Sequence, residues 1–175
     1  MADPIPDPTT PAAAQALRRF LTVGAEVSLT TVQTLGPNAV TVTTGRPAET
    51  GFAIATSALV ERLDQDHTLR AHLALAVLPP LPKTQLLEIY VNPPSQGTYG
   101  TDDPAFVHAG AFFGIARPTF DIRLDISTAA RRNEKARPSL TVAFTLAPFA
   151  GRKPDVEELR LRVSLLLAHS IVKAG

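Results

Sequence analysis

The sequence predicts an all-β protein, an antiparallel β-sandwich carrying one or two short helices. Apolar and polar residues alternate with a period of two along several segments, as a half-buried antiparallel sheet requires. Sixteen prolines and ten glycines are scattered along the 175 residues rather than pooled in a linker. Proline is tolerated poorly inside helices and central strands, so such scatter suits short elements joined by turns. The spacing of the segments is near-regular, and two sheets packed face to face bury their apolar faces together.

Residues 1–10 are an acidic, proline-rich lead, and 11–175 are expected to form one domain. Thr10 offers an N-cap and Pro11 fits the first helical position, where its missing N–H costs nothing. Ala13, Leu17, Phe20 and Leu21 follow at helical spacing, so Pro11–Leu21 reads as a short amphipathic helix. The β-branched stretches Val27–Thr34 and Ala39–Thr44 flank Leu35–Gly36–Pro37–Asn38, which reads as a hairpin. A second helix is expected from Ser57 as cap, with Leu59 and Leu63 one turn apart.

Beyond it the alternation is regular. Leu69, Ala71, Leu73, Leu75 and Val77 share one face, against Arg70 and His72. Leu87, Ile89 and Val91 alternate with Glu88, Tyr90 and Asn92. Phe120, Ile122, Leu124 and Ile126 oppose Asp121, Arg123 and Asp125. Leu140, Val142, Phe144 and Leu146 oppose Thr141 and Thr145. Leu159, Leu161, Val163, Leu165 and Leu167 oppose Arg160, Arg162 and Ser164.

Composition narrows the function classes. Apolar residues are 45% and charged residues 19% of the chain, a globular balance, and 175 residues hold one core. A net charge of +1 provides no global field to recruit nucleic acid or an anionic membrane. Cysteine is absent, which excludes disulfides, thiolate metal sites and cysteine nucleophiles. The acidic start lacks the basic and apolar regions of a secretory signal, and runs such as Leu73–Leu78 are too short to span a bilayer. A soluble, cytoplasmic protein is expected, with export alongside a partner left open.

No segment carries a catalytic pattern. There is no Gly-x-Ser-x-Gly elbow and no glycine-rich phosphate loop. The four histidines, His67, His72, His108 and His169, lack the three- or four-residue spacing that a metal site on helices needs. Asp64, Asp66 and His67 are the nearest to a ligand cluster and read better as a solvated helix stop. The pairs Glu157–Glu158 and Asp102–Asp103 read as solvated turns, and the basic run Arg131–Pro138 as a solvated hairpin loop. No catalytic residue, metal site or cofactor is expected. The most unusual piece is Asn92–Pro104, a long turn-rich connection with Tyr99 between Gly97 and Gly100. Long loops on a rigid sheet are disproportionately functional, and an amphipathic tyrosine suits a binding anchor; an ordinary surface loop with Tyr99 folded back on the sandwich is the other reading.

The stretches Leu87–Pro94, Asp103–Pro104, Phe106–Gly114 and Phe120–Ile126 together resemble the β-rich C-terminal domain that follows the copper domain of tyrosinases and polyphenol oxidases. Val23–Ala25, Val40–Val42 and Glu158–Leu165 are similar to the first and last parts of that domain, so the likeness covers about residues 20–170. In that family the coppers are held by six histidines of a helical domain, which nothing here resembles. The resemblance implies a covering domain made as a free-standing chain, a non-catalytic accessory or shielding subunit of a separate copper oxidase. Tyr99, Asp102, Asp103, Phe106 and His108 are its candidate partner-binding residues. Two other readings stay open: a self-assembling structural module pairing through Val27–Thr34, and a small-molecule binder with a pocket between the sheets.

Overall fold

Each alternating segment folds as a strand, and the strands pair into two antiparallel sheets. The computed structural model describes residues 26–80, 85–94, 99–111, 120–148 and 157–173. The lead 1–10, the helix expected at Pro11–Leu21, and residues 23–25, 95–98 and 112–114 lie outside them. In chain order the elements are β1 (Glu26–Thr43), β2 (Ala48–Ala55), α1 (Thr56–Gln65), β3 (Leu69–Leu78), β4 (Gln85–Val91), β5 (Phe106–Ala111), β6 (Phe120–Asp125), α2 (Ser127–Arg132), β7 (Ser139–Pro148) and β8 (Glu158–Lys173). One sheet has the order β1-β8-β3-β6, the other β2-β7-β4-β5. The all-β sandwich read from the sequence is the fold observed.

The core lies between the sheets and is almost wholly aliphatic. Leu159, Leu161, Val163, Leu165 and Leu167 of β8 and Ala71, Leu73, Leu75 and Val77 of β3 come from one side. Leu87, Ile89, Val91, Val142, Phe144 and Leu146 come from the other. Each such large side chain contributes about 1.5–3 kcal/mol by leaving water. Helix α1 adds Leu59 and Leu63, one turn apart and both fully buried. At the end of β6 the Ala71 amide donates to Ser127 Oγ (2.9 Å) and the Ile126 amide to the Ala71 carbonyl (2.8 Å), so the entry to α2 is stitched to β3.

Four readings change. Leu35–Asn38 is not a hairpin: β1 runs on through it as one edge strand, paired with β8 on both sides. Leu35 faces Leu165 and Asn38 faces Val163, so Gly36 and Pro37 together oppose Ser164 alone. That is a β-bulge, with Gly36 at φ +95°, and an edge strand or bulge is where proline fits a sheet. A second extra residue, Val32, interrupts the register between Thr31 and Gln33. Helix α1 starts at Thr56, with Ala55 as its N-cap residue and Ser57 exposed inside it. Ser127 opens helix α2, and the basic run that follows is not a free loop. Arg131 Nε donates to Asp64 Oδ1 (2.8 Å) and Arg137 Nε to the Pro93 carbonyl (2.8 Å). Tyr90 and Asn92 point away from the core as the alternation requires, yet both are buried, because the chain after β4 folds back over them.

Candidate functional site

The outward face of the β2-β7-β4-β5 sheet carries a second, separate apolar cluster. Tyr90 of β4 and Ala143 of β7 stand in register, and Ala105, Tyr99 and Phe106 close over them. The Tyr90 and Tyr99 rings lie 5.0 Å apart between centroids, and Phe106 meets Tyr90 edge-on at 5.7 Å. Such contacts add about 0.5–1.5 kcal/mol beyond burial. Both phenols end on carboxylates. Tyr90 donates to Glu88 Oε2 (2.9 Å), which also accepts from Thr145 Oγ1 (2.9 Å). Tyr99 donates to Glu49 Oε1 (2.7 Å) on β2, and Arg137 Nη2 donates to the same oxygen (2.9 Å). Burial, reinforced by the bond to Glu49, pushes the Tyr99 phenol up to about 12. Burial and Glu88 push Tyr90 higher still.

Asn92 fixes where the chain leaves β4. It sits at φ 48°, a left-handed conformation that asparagine tolerates better than most residues. Its amide donates to the Thr141 carbonyl (2.8 Å), and its Oδ1 accepts from the Thr141 amide (2.8 Å). Its Nδ2 reaches Thr56 Oγ1 (3.3 Å) and the Asn133 carbonyl (3.4 Å). Asn133 Nδ2 in turn donates to the carbonyls of Val91 (3.3 Å) and Pro104 (3.1 Å). The loop is therefore held at both ends by side chains distant in sequence.

Of the five residues singled out from the sequence, the structure brings Tyr99 and Phe106 together. Asp103 shapes the turn between them: its Oδ1 accepts from the Ala105 amide (2.8 Å) and its carbonyl from the Phe106 amide (2.9 Å). Asp102 is exposed at the loop's outer side. His108 stands apart on β5 opposite Ile89, with its Nε2 beside Gly110, where an added Cβ would lie only 3.2 Å away. Sequence reasoning missed Glu49, Arg137 and Asn92. Glu49 sits in a strand without clear alternation, and Arg137 read as part of a solvated loop.

The acidic turn after α1 is spent on local structure. Asp64 pairs with Arg131, while Asp66 accepts from the Thr68 amide (2.9 Å) and hydroxyl (2.7 Å), bonds that hold its carboxyl below the usual range. His169 Nδ1 lies 3.4 Å from Asp66. Among the described residues, no group of three or more His, Asp or Glu side chains is placed to hold a metal ion.

No family model matches this chain, and no curated protein does. Among solved structures it is similar to a latent aurone synthase (polyphenol oxidase) from natural source, at 16% identity and a TM-score of 0.43, over 78% of this chain and 26% of that one. A recombinantly expressed latent aurone synthase co-crystallized with hexatungstotellurate(VI) gives 17% identity and a TM-score of 0.40, over 82% and 26%. Infectious bursal virus-derived T=1 particles give 13% identity and a TM-score of 0.25, over 83% and 29%. The chain spans about a quarter of the length of the polyphenol oxidase chains it matches. Likeness at this level leaves function to be argued from the chain's own residues.

Proposed function

We propose that this chain is a tyrosinase-related binding domain without catalytic residues of its own, acting as an accessory or shielding subunit of a separate copper oxidase chain. One observation supports the reading above others. The segments that carry the family resemblance supply Tyr90 and Phe106 of the aromatic platform, which Tyr99, Ala105 and Ala143 complete from outside them. Tyr99 is held to the sheet by Glu49, which Arg137 braces, and Phe106 stands on β5, so both rings are placed before binding and less entropy is lost on docking. Tyrosine anchors ringed by polar groups are typical of interface centres.

The test is capture from native extract by the full chain, with the Tyr99→Ala/Phe106→Ala double variant as control. The reading expects the wild-type chain to retain a protein that carries copper and oxidises diphenols, and the variant to lose it. Retention of no copper-containing oxidase by the wild-type chain overturns the reading.

A second reading, self-assembly, is favoured by the position of β1. It is an edge strand, and its stretch Val27–Thr43 contains no charged residue. Among the described residues, the exposed large apolar side chains, Leu29 at 36% and Val32 at 51%, both lie on it. An unguarded edge is a template for pairing with a second copy, and the Val32 and Gly36–Pro37 bulges limit how much of it stays regular. Light scattering across concentrations decides: a dimer that Val32→Lys dissociates supports it, and a monomer throughout removes it.

A further inference from the structure

The outward face of the other sheet, β1-β8-β3-β6, holds a trough that the proposed function does not use. Central strand β3 presents only methyl groups there, Ala74 and Ala76, while its neighbours present longer side chains. In register, Ala74 lies between Ser164 of β8 and Arg123 of β6, and Ala76 between Arg162 and Asp121. A floor of alanines between such walls leaves a concavity of about 490 Å³, bordered at the β1 side by Pro37 of the bulge. Sites for small organic ligands commonly span about 300–1,000 Å³. Flanking strands stand roughly 10 Å apart across β3, which admits one flat ring or alkyl chain lying along the floor.

The charges along the walls are unequal in their commitments. On this same face Arg70 donates to the His67 and Leu69 carbonyls (2.7 and 2.8 Å), and Arg160 to the Pro79 carbonyl (2.7 Å). Arg123 and Arg162 have no carboxylate within 4.0 Å and no side-chain hydrogen bond among the described residues. They stand on opposite walls, two residues apart in register along β3, so both guanidinium groups can reach one anion over the floor. His72, the next outward residue of β3 beyond Ala74, is 9% exposed and bonds through neither ring nitrogen. Both of its ring nitrogens are shut away from solvent and it does not line the trough, so the site rests on the two arginines and the alanine floor.

We propose that this trough binds a small amphipathic monoanion, an aromatic or branched aliphatic carboxylate. Its acid group bridges Arg123 and Arg162, and its apolar body lies on Ala74 and Ala76. Two arginines against Asp121 leave a local charge of one, which suits a carboxylate better than a phosphate dianion. Bare inorganic anions make no use of the methyl floor. Two cations are too few for a nucleic-acid backbone. This site is independent of the accessory role, since it lies on the opposite sheet.

The experiment is an NMR titration of the isotope-labelled full chain with benzoate and, at matched ionic strength, with sulfate. Saturable shifts confined to β3, β6 and β8 around the trough are expected with benzoate and not with sulfate. Arg123→Ala/Arg162→Ala should weaken binding about tenfold or more, since charge-assisted bonds are lost. Ala76→Leu, which fills the floor from an outward position, should weaken it with both arginines intact. Thermal unfolding checks that each variant retains the fold. The proposal is overturned if benzoate leaves the trough amides unmoved, if sulfate shifts them equally, or if the filled and double-arginine variants bind as wild type does.

Discussion

Gly36 distinguishes a bulge inside β1 from a hairpin tip, and the two assignments predict different costs for one added methyl group. In the structure Gly36 has φ +95°, and a Cβ there would lie 2.7 Å from the Val163 carbonyl oxygen and 3.3 Å from Ser164 Cα. Both are backbone atoms of β8, a strand paired on both sides, so neither can swing away. The left-handed conformation alone costs an alanine about 1–2 kcal/mol. Forcing β1 off β8 adds about 1–3 kcal/mol by analogy with overpacking. Gly45 is the internal control: its φ is +73°, and an added Cβ meets nothing within 4 Å. Gly45→Ala should therefore lose only the conformational part, about 1–2 kcal/mol. In a domain of this size each kcal/mol lowers Tm by about 2–4 °C. Urea unfolding of both variants, with equal m-values, gives the two losses directly. Equal destabilisation by Gly36→Ala and Gly45→Ala would refute the close approach of β1 to β8, and with it the bulge.

Other expectations follow from the same contacts. The protein contains two tyrosines and no tryptophan, so phenolate absorbance reports the site cleanly. The Tyr99 phenol, raised from 10.0 to about 12, contributes stability that is complete below pH 10 and is lost as pH climbs through about 12. Tyr99→Phe should remove that alkaline component and leave Tyr90 titrating later. Asn92→Ala should cost about 2–4 kcal/mol in chemical unfolding, combining left-handed strain with an unpaired Thr141 amide. Asn92→Gly should recover the conformational share. His72, held below 6.5 mainly by burial, with Arg123 and Arg70 opposing and Asp125 favouring its charge, contributes stability present above pH 6.5 and lost as pH falls below it. His72→Leu removes no hydrogen bond and should flatten that acid-side slope without lowering stability at neutral pH.

Most of the fold was legible because one face of each sheet is dry. In β3, β7 and β8 every core residue falls on the alternate positions, and a one-residue slip would turn them all to solvent. What stayed hidden depends on contacts between residues far apart in sequence. Tyr90 and Asn92 read as solvent-facing because nothing local reveals that residues 99–106 return across them. Glu49 meets Tyr99 across 50 residues and Arg137 across 88, separations that leave no trace in a single sequence. β2 escaped notice because it is an edge strand of mostly small residues, with Phe52 alone deeply buried. Helix α2 escaped because six residues between two strong strands carry less than two turns of periodicity. Gly-Pro-Asn read as a turn since a bulge and a hairpin draw on the same residue types. Of the site, the aromatic anchors were readable from the loop's composition, and the carboxylates and arginine that hold them were not.

The central claim, that this chain binds and covers a copper oxidase without catalysing oxidation itself, is tested most directly by diphenol turnover. A tyrosinase catalytic domain lacking its own β-rich domain is titrated with the purified full chain, with copper present throughout and the chain alone as a parallel arm. The account predicts that turnover falls saturably as the chain is added, that Tyr99→Ala/Phe106→Ala blunts the fall, and that the chain alone turns over nothing. Turnover unaffected by a saturating excess of the chain, or oxidation by the chain alone, would contradict it.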